Sequence, residues 1–456
     1  MYMLRDIIEK YKPVLQPIKI KSALELWNTD ELPVAKLEWV HGPRKPRDLI
    51  RKAQPPVEDV SIEALINKGL IKVLEPLKIN DPGDANKISD DVDALIMGDM
   101  EDWLVDEEIL EAIVNKGKPI IYEWDHWGRA IHGRLSKLRF DRFKDAKFFI
   151  PMNSKEVKAL IRALRGIRFL RYRKILYIGK YPPRSVAVPK GLSLEDVSRI
   201  FGLEIIRLDF NEYYDAVENA DERLARDIAA RWLREYAIMN GREQNIVHYA
   251  KLYLGLKNLL RKYNANSLTI ECPGLKDTEY VPCLAFSHFI DEGIPCGCEA
   301  DIPTLLTMAL LMGISGEPAT MGNLNENVTH SDLESNIVVI NHDVVTKSYG
   351  CPGCKYRIRN FHASGKGATS YVELPMGLEV TLAGMHWNLN KIWATRGKVA
   401  WTEDTIHCRI SIGVRVDDAI NVSRNAFGHH AVLIRGDYVE ELKMASKMMG
   451  IEFHKL

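Results

Sequence analysis

Hydrophobic and polar positions in the N-terminal part of the chain follow a strand, helix, strand order. Residues 94–99 (ALIMGD) form an apolar run typical of a buried strand, and residues 106–117 (DEEILEAIVNKG) have apolar positions at helical spacing and end in a glycine. Residues 118–124 (KPIIYEW) form the next apolar run. With a similar alternation over residues 63–76, this pattern predicts a doubly wound α/β domain over residues 1–165.

A second alternation of the same kind follows. Residues 174–183 (KILYIGKYPP) contain a strand and a loop, and residues 196–209 (DVSRIFGLEIIRLD) have the pattern of a helix followed by a strand. Amphipathic segments over residues 220–263 predict long helices, and residues 266–272 (NSLTIEC) return to the sheet. We therefore expect a second doubly wound α/β domain over residues 166–317.

The hydrophobic runs become short in the last third of the chain, where Gly, Asn and Asp turns separate them. Examples are residues 337–345 (IVVINHDVV), 378–387 (LEVTLAGMHW) and 407–416 (HCRISIGVRV). This spacing predicts a mostly β, barrel-like domain over residues 318–456. A final amphipathic helix is expected over residues 437–453 (DYVEELKMASKMMGIEF).

Composition limits the classes of function. The chain has 456 residues, of which 46% are hydrophobic and 27% charged, with a formal net charge of zero. The balanced charge argues against a polycation that binds nucleic acid, and no apolar run approaches the roughly 20 residues of a membrane span. Charges in the first residues do not fit a signal peptide. We expect a cytoplasmic protein that acts on a small molecule, without nucleic-acid or membrane partners.

The cysteine and glutamine contents add two expectations. Seven cysteines in a chain without an export signal predict reduced thiols rather than a disulfide framework. Cys351 and Cys354 form a C-x-x-C motif, for which a zinc site or a redox role stays open although a standard second pair is absent. The three glutamines, against plentiful Lys, Arg, Glu and Ile, indicate a thermophilic source.

Two carboxylates interrupt an apolar segment. Glu299 and Asp301 lie between Cys298 and a run of Leu, Ile and Met residues, so at least one of them is expected to be buried. A buried carboxylate requires a cation, a metal ion or a proton. Alternatively, both residues begin a helix, where carboxylates stabilise the positive end of the helix dipole. The spacing alone leaves both interpretations open.

Three other groups carry candidate ligands or acid–base residues. They are Asn323 to Glu326, His342 with Asp343, and His429 with His430. Carboxylate and imidazole ligands suit hard divalent ions such as Mn²⁺, whereas cysteine-rich sites favour zinc. The set predicts a manganese site. Only one of the adjacent histidines is expected to reach the metal, because adjacent strand residues face opposite ways; a core histidine with satisfied hydrogen bonds is the alternative for His430.

Five segments resemble, in the same order, those of the L-fucose isomerase and L-arabinose isomerase superfamily, most closely its shorter fucose-isomerase-related proteins. They are CEADIPTLLTMALL (298–311), SGEPATMGN (315–323), SGKGATSYVELPMGLEVTLA (364–383), CR (408–409) and GHHAVLIRGDYVEELKMASKMMGIE (428–452). The N-terminal half shares only the α/β layout, which many unrelated families have.

The resemblance implies a metal-dependent isomerase that interconverts aldoses and ketoses through an enediol. It implies that Glu299, a second acid and His430 bind Mn²⁺ or another divalent metal, and that the two acids transfer protons. The fucose-type alignment places Asn323 at the second acid, whereas the arabinose-type alignment places Glu326 there and His342 at an additional ligand. An amide cannot take a proton. We therefore predict Glu299 and Glu326 as the catalytic pair, and both, with His342 and His430, as metal ligands.

The remaining expectations concern the substrate and the assembly. His429, His362, Asp301 and Asn323 are expected to bind the sugar, and the resemblance implies a homo-oligomer, a trimer or a hexamer. Two other functions stay open. One is a fucose-isomerase-like carbohydrate enzyme with an altered reaction, and the other is a non-catalytic sugar-binding regulator.

Overall fold

The computed structural model describes residues 13–20, 32–39, 60–75, 77–97, 106–123, 129–238, 245–351 and 356–456. The chain falls into two compact units, residues 1–168 with 444–450 and residues 169–443 with 451–456. No helix of the described part is long and apolar enough to span a membrane.

The first unit contains a seven-stranded sheet with the order β4-β1-β3-β2-β5-β6-β7. Its elements are β1 (Pro13–Ile20), β2 (Leu32–Trp39), α1 (Ile62–Asn67), β3 (Lys72–Val73), β4 (Leu77–Lys78), β5 (Leu95–Met97), α2 (Glu107–Val114), β6 (Ile120–Tyr122), α3 (Arg129–Phe140), β7 (Phe148–Phe149) and α4 (Ser154–Arg171). Strands β2, β5, β6 and β7 are parallel, whereas β1 is antiparallel to β2. The strand, helix and strand expected over residues 94–124 are β5, α2 and β6; residues 98–105 and 124 lie outside the described residues.

The second unit begins with a parallel sheet of the order β12-β11-β8-β9. Its first elements are β8 (Lys174–Ile178), α5 (Leu194–Phe201), β9 (Glu204–Leu208), α6 (Phe210–Glu218), α7 (Glu222–Glu235), β10 (Tyr236–Ile238), α8 (Ile246–Lys262), β11 (Ser267–Ile270), α9 (Cys283–Asp291) and β12 (Cys296–Gly297). Every residue of β11 is buried, as expected for a strand covered on both faces.

A closed six-stranded antiparallel barrel follows in the same unit. The remaining elements are α10 (Ile302–Ser315), β13 (Ala319–Leu324), α11 (His330–Glu334), β14 (Ile337–His342), β15 (Tyr356–Arg359), β16 (Thr369–Tyr371), β17 (Glu379–Met385), β18 (Lys391–Asp404), β19 (Ile410–Val416), α12 (Ala419–Asn425), β20 (His430–Arg435), α13 (Val439–Met449) and β21 (Glu452–Lys455). The barrel order is β17-β20-β13-β14-β19-β18, and pairing of β18 with β17 closes it.

The barrel core follows the period of two that the sequence shows. Val338 with Ile340, and Ile410 with Ile412, alternate along their strands and pack into one hydrophobic cluster with Trp393. The register between strands then fixes the position of the candidate site. Asn323 of β13 pairs with the first residue of β20 on one side and with the penultimate residue of β14 on the other.

The fold class is confirmed: parallel α/β sheets precede a barrel. The predicted division at residues 165 and 317 into three domains stays a prediction. One detail of the sequence prediction is wrong, because the C-terminal helix ends at Met449 rather than continuing to residue 453. Gly450 adopts a left-handed φ of 74°, and the chain ends in β21, which pairs in parallel with β18.

Gly255 permits the close packing of α8 on α6. A methyl group on its Cα would lie 2.9 Å from the backbone atoms of Ala216 and Val217. These atoms belong to a helix backbone, which cannot move aside as the end of a side chain can.

Replacement of Gly255 with Ala is therefore expected to destabilise the protein by about 1–3 kcal/mol, despite the better helix propensity of Ala. Urea unfolding followed by circular dichroism measures the change. Asn258→Ala, one turn later at an exposed position of α8, is the control and should be neutral or slightly stabilising. A Gly255→Ala variant as stable as the control would contradict the packing argument.

Candidate metal centre

Glu299 lies in a tight turn between β12 and α10. Both Glu299 and Ala300 have φ values of 57°, in the left-handed region that residues with a side chain seldom adopt. The amide of Ala300 donates to the carbonyl of Ile270 at 3.0 Å, which ties the turn to the adjacent strand β11. Holding a residue with a side chain in this conformation destabilises the fold by about 1–3 kcal/mol, and such conformations are concentrated at functional sites.

Asp301 caps the N-terminus of α10. Its side chain accepts hydrogen bonds from the amide of Thr304 at 3.1 Å and from the hydroxyl of Thr304 at 2.7 Å. The interpretation that a carboxylate begins a helix therefore applies to Asp301. Its Oδ2 also lies 2.8 Å from Nδ1 of His430, and both side chains are buried. The cap residue of α10 thus fixes the orientation of a histidine on a barrel strand.

Two imidazole nitrogens near Glu299 are buried without a hydrogen-bond partner among the described residues. The first is Nε2 of His430, which lies 3.9 Å from Oε1 of Glu299. The second is Nδ1 of His342, at the end of β14, whose ring centre lies 5.2 Å from that of His430. Burying a polar atom without a partner is unfavourable in free energy, and a bound ion removes that cost. Within the described part of the chain His430 forms a hydrogen bond through Nδ1 alone, so it is not a core histidine with both nitrogens satisfied.

The three side chains fit a divalent metal. One donor atom each of Glu299, His342 and His430 lies within 4.8 Å of the other two. Ligand bonds of about 2.0–2.6 Å allow one ion to reach three donors at such separations. A carboxylate oxygen with two imidazoles suits Mn²⁺ and neighbouring first-row ions.

The protonation states in this cluster favour metal binding. Burial and the neighbouring His430 together lower the pKa of His342 to about 3, so that the ring is neutral at neutral pH. Burial raises the pKa of Glu299, but the hydrogen bond from His429 and the electrostatic effect of the nearby imidazoles outweigh it and lower that pKa to about 2. An ionised carboxylate and a neutral imidazole are the forms that bind metals.

His429 lies on the other side of the same carboxylate. Its Nε2 is 3.4 Å from Oε2 of Glu299, and this contact raises the pKa of His429 above its ordinary value. The side chain is 36% exposed, whereas that of His430 is fully buried. The two adjacent histidines differ in environment, and His430 is the one grouped with His342.

Glu326 is separate from this three-residue cluster. It lies in the exposed turn after β13, where Oε2 accepts a hydrogen bond from the Asn323 amide at 2.7 Å and Oε1 lies 3.0 Å from Nδ1 of His407. Its carboxylate nevertheless contributes to the raised pKa of His429, so the two side chains share one electrostatic environment. Asn323 itself contacts Glu326 and pairs through its backbone with His430.

His362 belongs to a second group of side chains. Its Nε2 lies 2.8 Å from Oδ2 of Asp343 and 3.3 Å from Sγ of Cys408, and its ring is tilted against that of His407 at 4.5 Å. His407 and Cys408 were not among the predicted site residues. The adjacent His-Cys pair at the start of a predicted strand is the sequence feature that could have indicated them as candidate ligands.

The cysteine prediction is correct in part. Cys272, Cys283, Cys296, Cys298 and Cys408 are free thiols. Cys351, however, is disulfide-bonded, so the expectation of reduced thiols is wrong there. Cys354 lies outside the described residues. A thiol in a disulfide cannot act as a zinc ligand, which weighs against the zinc interpretation of the C-x-x-C motif.

Residues 179–316 match the L-arabinose isomerase central domain family. Two curated sulfoquinovose isomerases, from Priestia aryabhattai and Priestia megaterium, are each 22% identical over 315 residues. These matches support a relationship to the L-fucose isomerase and L-arabinose isomerase superfamily. The alignments with the two relatives cover 64% of this chain and 66% of each relative. The matched central domain ends just after α10, so it includes both Glu299 and the residue that caps that helix.

The contact between Asp301 and His430 generates a prediction about metal affinity. Asp301→Asn retains an oxygen that caps α10 but weakens the bond that orients His430. The affinity for Mn²⁺, measured by isothermal titration calorimetry, should fall about 10- to 100-fold, the usual effect of removing a group that supports a metal ligand. Asp418→Asn is the matched control, since Asp418 caps α12 through the amide of Asn421. Equal losses in both variants would contradict this role.

Proposed function

We propose that the protein is a metal-dependent isomerase that interconverts an aldose and a ketose through an enediol. The observation that supports it most strongly is the Glu299 carboxylate facing two buried, unpartnered imidazole nitrogens of His342 and His430. A divalent ion bound there supplies Lewis acidity to the carbonyl and hydroxyl oxygens of an open-chain sugar. We propose Mn²⁺ as the ion, because its ligand preferences fit one carboxylate and two imidazoles.

Glu299 acts in this proposal as both a ligand and a proton acceptor. Its Oε1 faces His430, whereas its Oε2 faces His429 and the less buried side of the site. The carboxylate is ionised at neutral pH, as a base must be before it removes the proton on C2 of an aldose. The hydrogen bond from His429 directs the lone pairs of Oε2 and holds the side chain in one orientation.

Glu326 supplies the second acid. Asn323 donates to its Oε2 and His407 lies beside its Oε1, which together hold a carboxylate in an otherwise exposed turn. In this proposal Asn323 positions Glu326 and does not itself transfer a proton. The amide at the fucose-type acid position is thereby compatible with the reaction, because the carboxylate three residues later protonates the other end of the enediol.

The remaining polar side chains divide into two roles. His429 is partly exposed beside Glu299, and we assign it to a sugar hydroxyl. The described side-chain hydrogen bonds of Asp301 all go to Thr304 and His430. We therefore assign Asp301 to positioning His430 and not to the sugar binding that the sequence led us to expect. Sugar contacts of His362 and Asn323 stay predictions, as do a homo-oligomeric assembly, a cytoplasmic location and a thermophilic source.

The sugar itself is open to direct test. The two relatives are sulfoquinovose isomerases. A panel of pentoses, 6-deoxyhexoses and sulfoquinovose therefore covers the relevant substrates. An assay in deuterated water with added Mn²⁺ follows both the ketose product and the deuterium introduced at the carbon that loses its proton.

Glu299→Gln is expected to lower exchange by about 10²- to 10⁴-fold, because the amide keeps the shape of the carboxylate but cannot accept a proton. Glu326→Gln should lower turnover comparably while leaving the Mn²⁺ affinity within about threefold of the wild type, since Glu326 lies outside the three-ligand cluster. Glu334→Gln, at an exposed position of α11, is the control and should keep full activity.

Three results would overturn parts of this proposal. A metal-loaded wild type that converts none of the sugars would favour the regulator or the altered reaction. Full activity in Glu299→Gln would remove the proposed base. An unchanged rate in Glu326→Gln would show that the second proton transfer uses another group.

A further inference from the structure

A second group of metal-binding side chains lies outside the Glu299 cluster. His362 follows β15, and His407 with Cys408 occupies the turn between β18 and β19. One donor atom from each of these three residues lies within 4.8 Å of the other two. The shortest of the separations described, 3.3 Å, is between Sγ of Cys408 and Nε2 of His362. Donors at tetrahedral positions around zinc, with bonds of about 2.0–2.3 Å, are separated by similar distances.

Asp343 lies beside this group and contacts one of its members. Its side chain is 1% exposed, and Oδ2 lies 2.8 Å from Nε2 of His362. The other oxygen, Oδ1, accepts a hydrogen bond from the amide of Arg409 at 2.9 Å, whereas Oδ2 accepts none with hydrogen-bond geometry. A buried carboxylate needs a polar or cationic partner, and this one lies directly beside a clustered imidazole.

The surroundings of His407 fit the same interpretation. Oε1 of Glu326 lies 3.0 Å from Nδ1 of His407. A carboxylate that accepts from Nδ1 leaves Nε2 as the donor for a metal, an arrangement that accompanies most histidine ligands of zinc. Two consecutive residues at the end of β14 therefore face different groups: His342, the last residue of the strand, belongs to the Glu299 cluster, and Asp343 contacts His362.

We propose that His362, His407 and Cys408 form a second metal site, which binds zinc or a similar borderline divalent ion, with the buried Asp343 carboxylate beside His362. A thiolate and two imidazoles are softer donors than the carboxylate and two imidazoles around Glu299. The two sites therefore differ in metal preference. The site connects the segment after β15 with the turn between β18 and β19, and its occupancy does not depend on isomerase activity.

Cobalt is a suitable probe, because Co²⁺ replaces zinc in tetrahedral sites and absorbs in the near ultraviolet when a thiolate is bound. Metal-free protein is titrated with Co²⁺, and bound metal per chain is measured after gel filtration. We expect two equivalents per chain and a thiolate charge-transfer band. Cys408→Ser should lose the band and one equivalent, whereas Glu299→Gln should keep the band.

The control is Cys296→Ala, another buried free cysteine, whose thiol contacts only the carbonyl of Ile294 among its described hydrogen bonds. It should retain both the band and the stoichiometry. If Cys408→Ser does not fold, His407→Ala replaces it, because that side chain is 56% exposed. His407→Ala should weaken the Co²⁺ binding that produces the charge-transfer band by about 10-fold or more, and His330→Ala should not weaken it.

A folded wild type that shows no thiolate band at saturating Co²⁺ would overturn the second site. A band that survives Cys408→Ser, or that disappears equally in Cys296→Ala, would do the same. Absence of the band in the wild type would mean that Cys408 and His362 form a hydrogen bond and do not share a metal ion. These readouts are the Co²⁺ spectrum and the bound metal per chain and not sugar turnover, so failure of this site is distinguishable from failure of the proposed isomerase.

Discussion

The candidate metal centre depends on one buried contact, between Oδ2 of Asp301 and Nδ1 of His430. It links the first residue of a barrel strand to the cap of a helix that follows the parallel sheet. The bond fixes the ring orientation of His430 and leaves Nε2 directed toward Glu299. A partner of this kind also raises the basicity of the histidine as a ligand. The same carboxylate therefore begins the helix and prepares the metal site.

Backbone geometry provides the second constraint. The left-handed turn at Glu299 and Ala300 places the carboxylate beyond the end of β12. Strands β14 and β20 lie on the two sides of β13, with which both of them pair. His342 and His430 come from these two strands. Glu299 and His430, more than a hundred positions apart in the chain, meet because β20 pairs with β13. Burial then keeps the imidazole of His342 neutral, which is the form that binds a metal ion.

The sequence contained much of this fold. Hydrophobic periodicity located β5, α2 and β6, and the alternation in the last third indicated the barrel strands. It misjudged the end of the C-terminal helix, because residues 450–453 continue the apolar pattern although Gly450 breaks the helix and β21 joins the sheet. Local periodicity contains no information about strand pairing, which is decided by contacts distant in the chain.

The candidate site was predictable only in part for a similar reason. The residue types and the resemblance selected Glu299, His342 and His430, but spacing could not separate a ligand from a neighbour. Asp301 was expected to bind sugar, whereas its position beneath His430 became visible only with the register of β20. Glu326 satisfied the alignment, yet the turn after β13 directs it toward Asn323 and His407. The second cluster involves turns that carry no sequence periodicity.

The most direct test of the account is the location of Mn²⁺ by anomalous diffraction from crystals soaked in that ion. The account predicts one strong peak within about 2.0–2.6 Å of a Glu299 carboxylate oxygen, Nε2 of His430 and a ring nitrogen of His342. A Mn²⁺ ion bound to Glu326 or His407, with no peak among those three residues, would contradict the assignment of Glu299, His342 and His430 as the metal ligands.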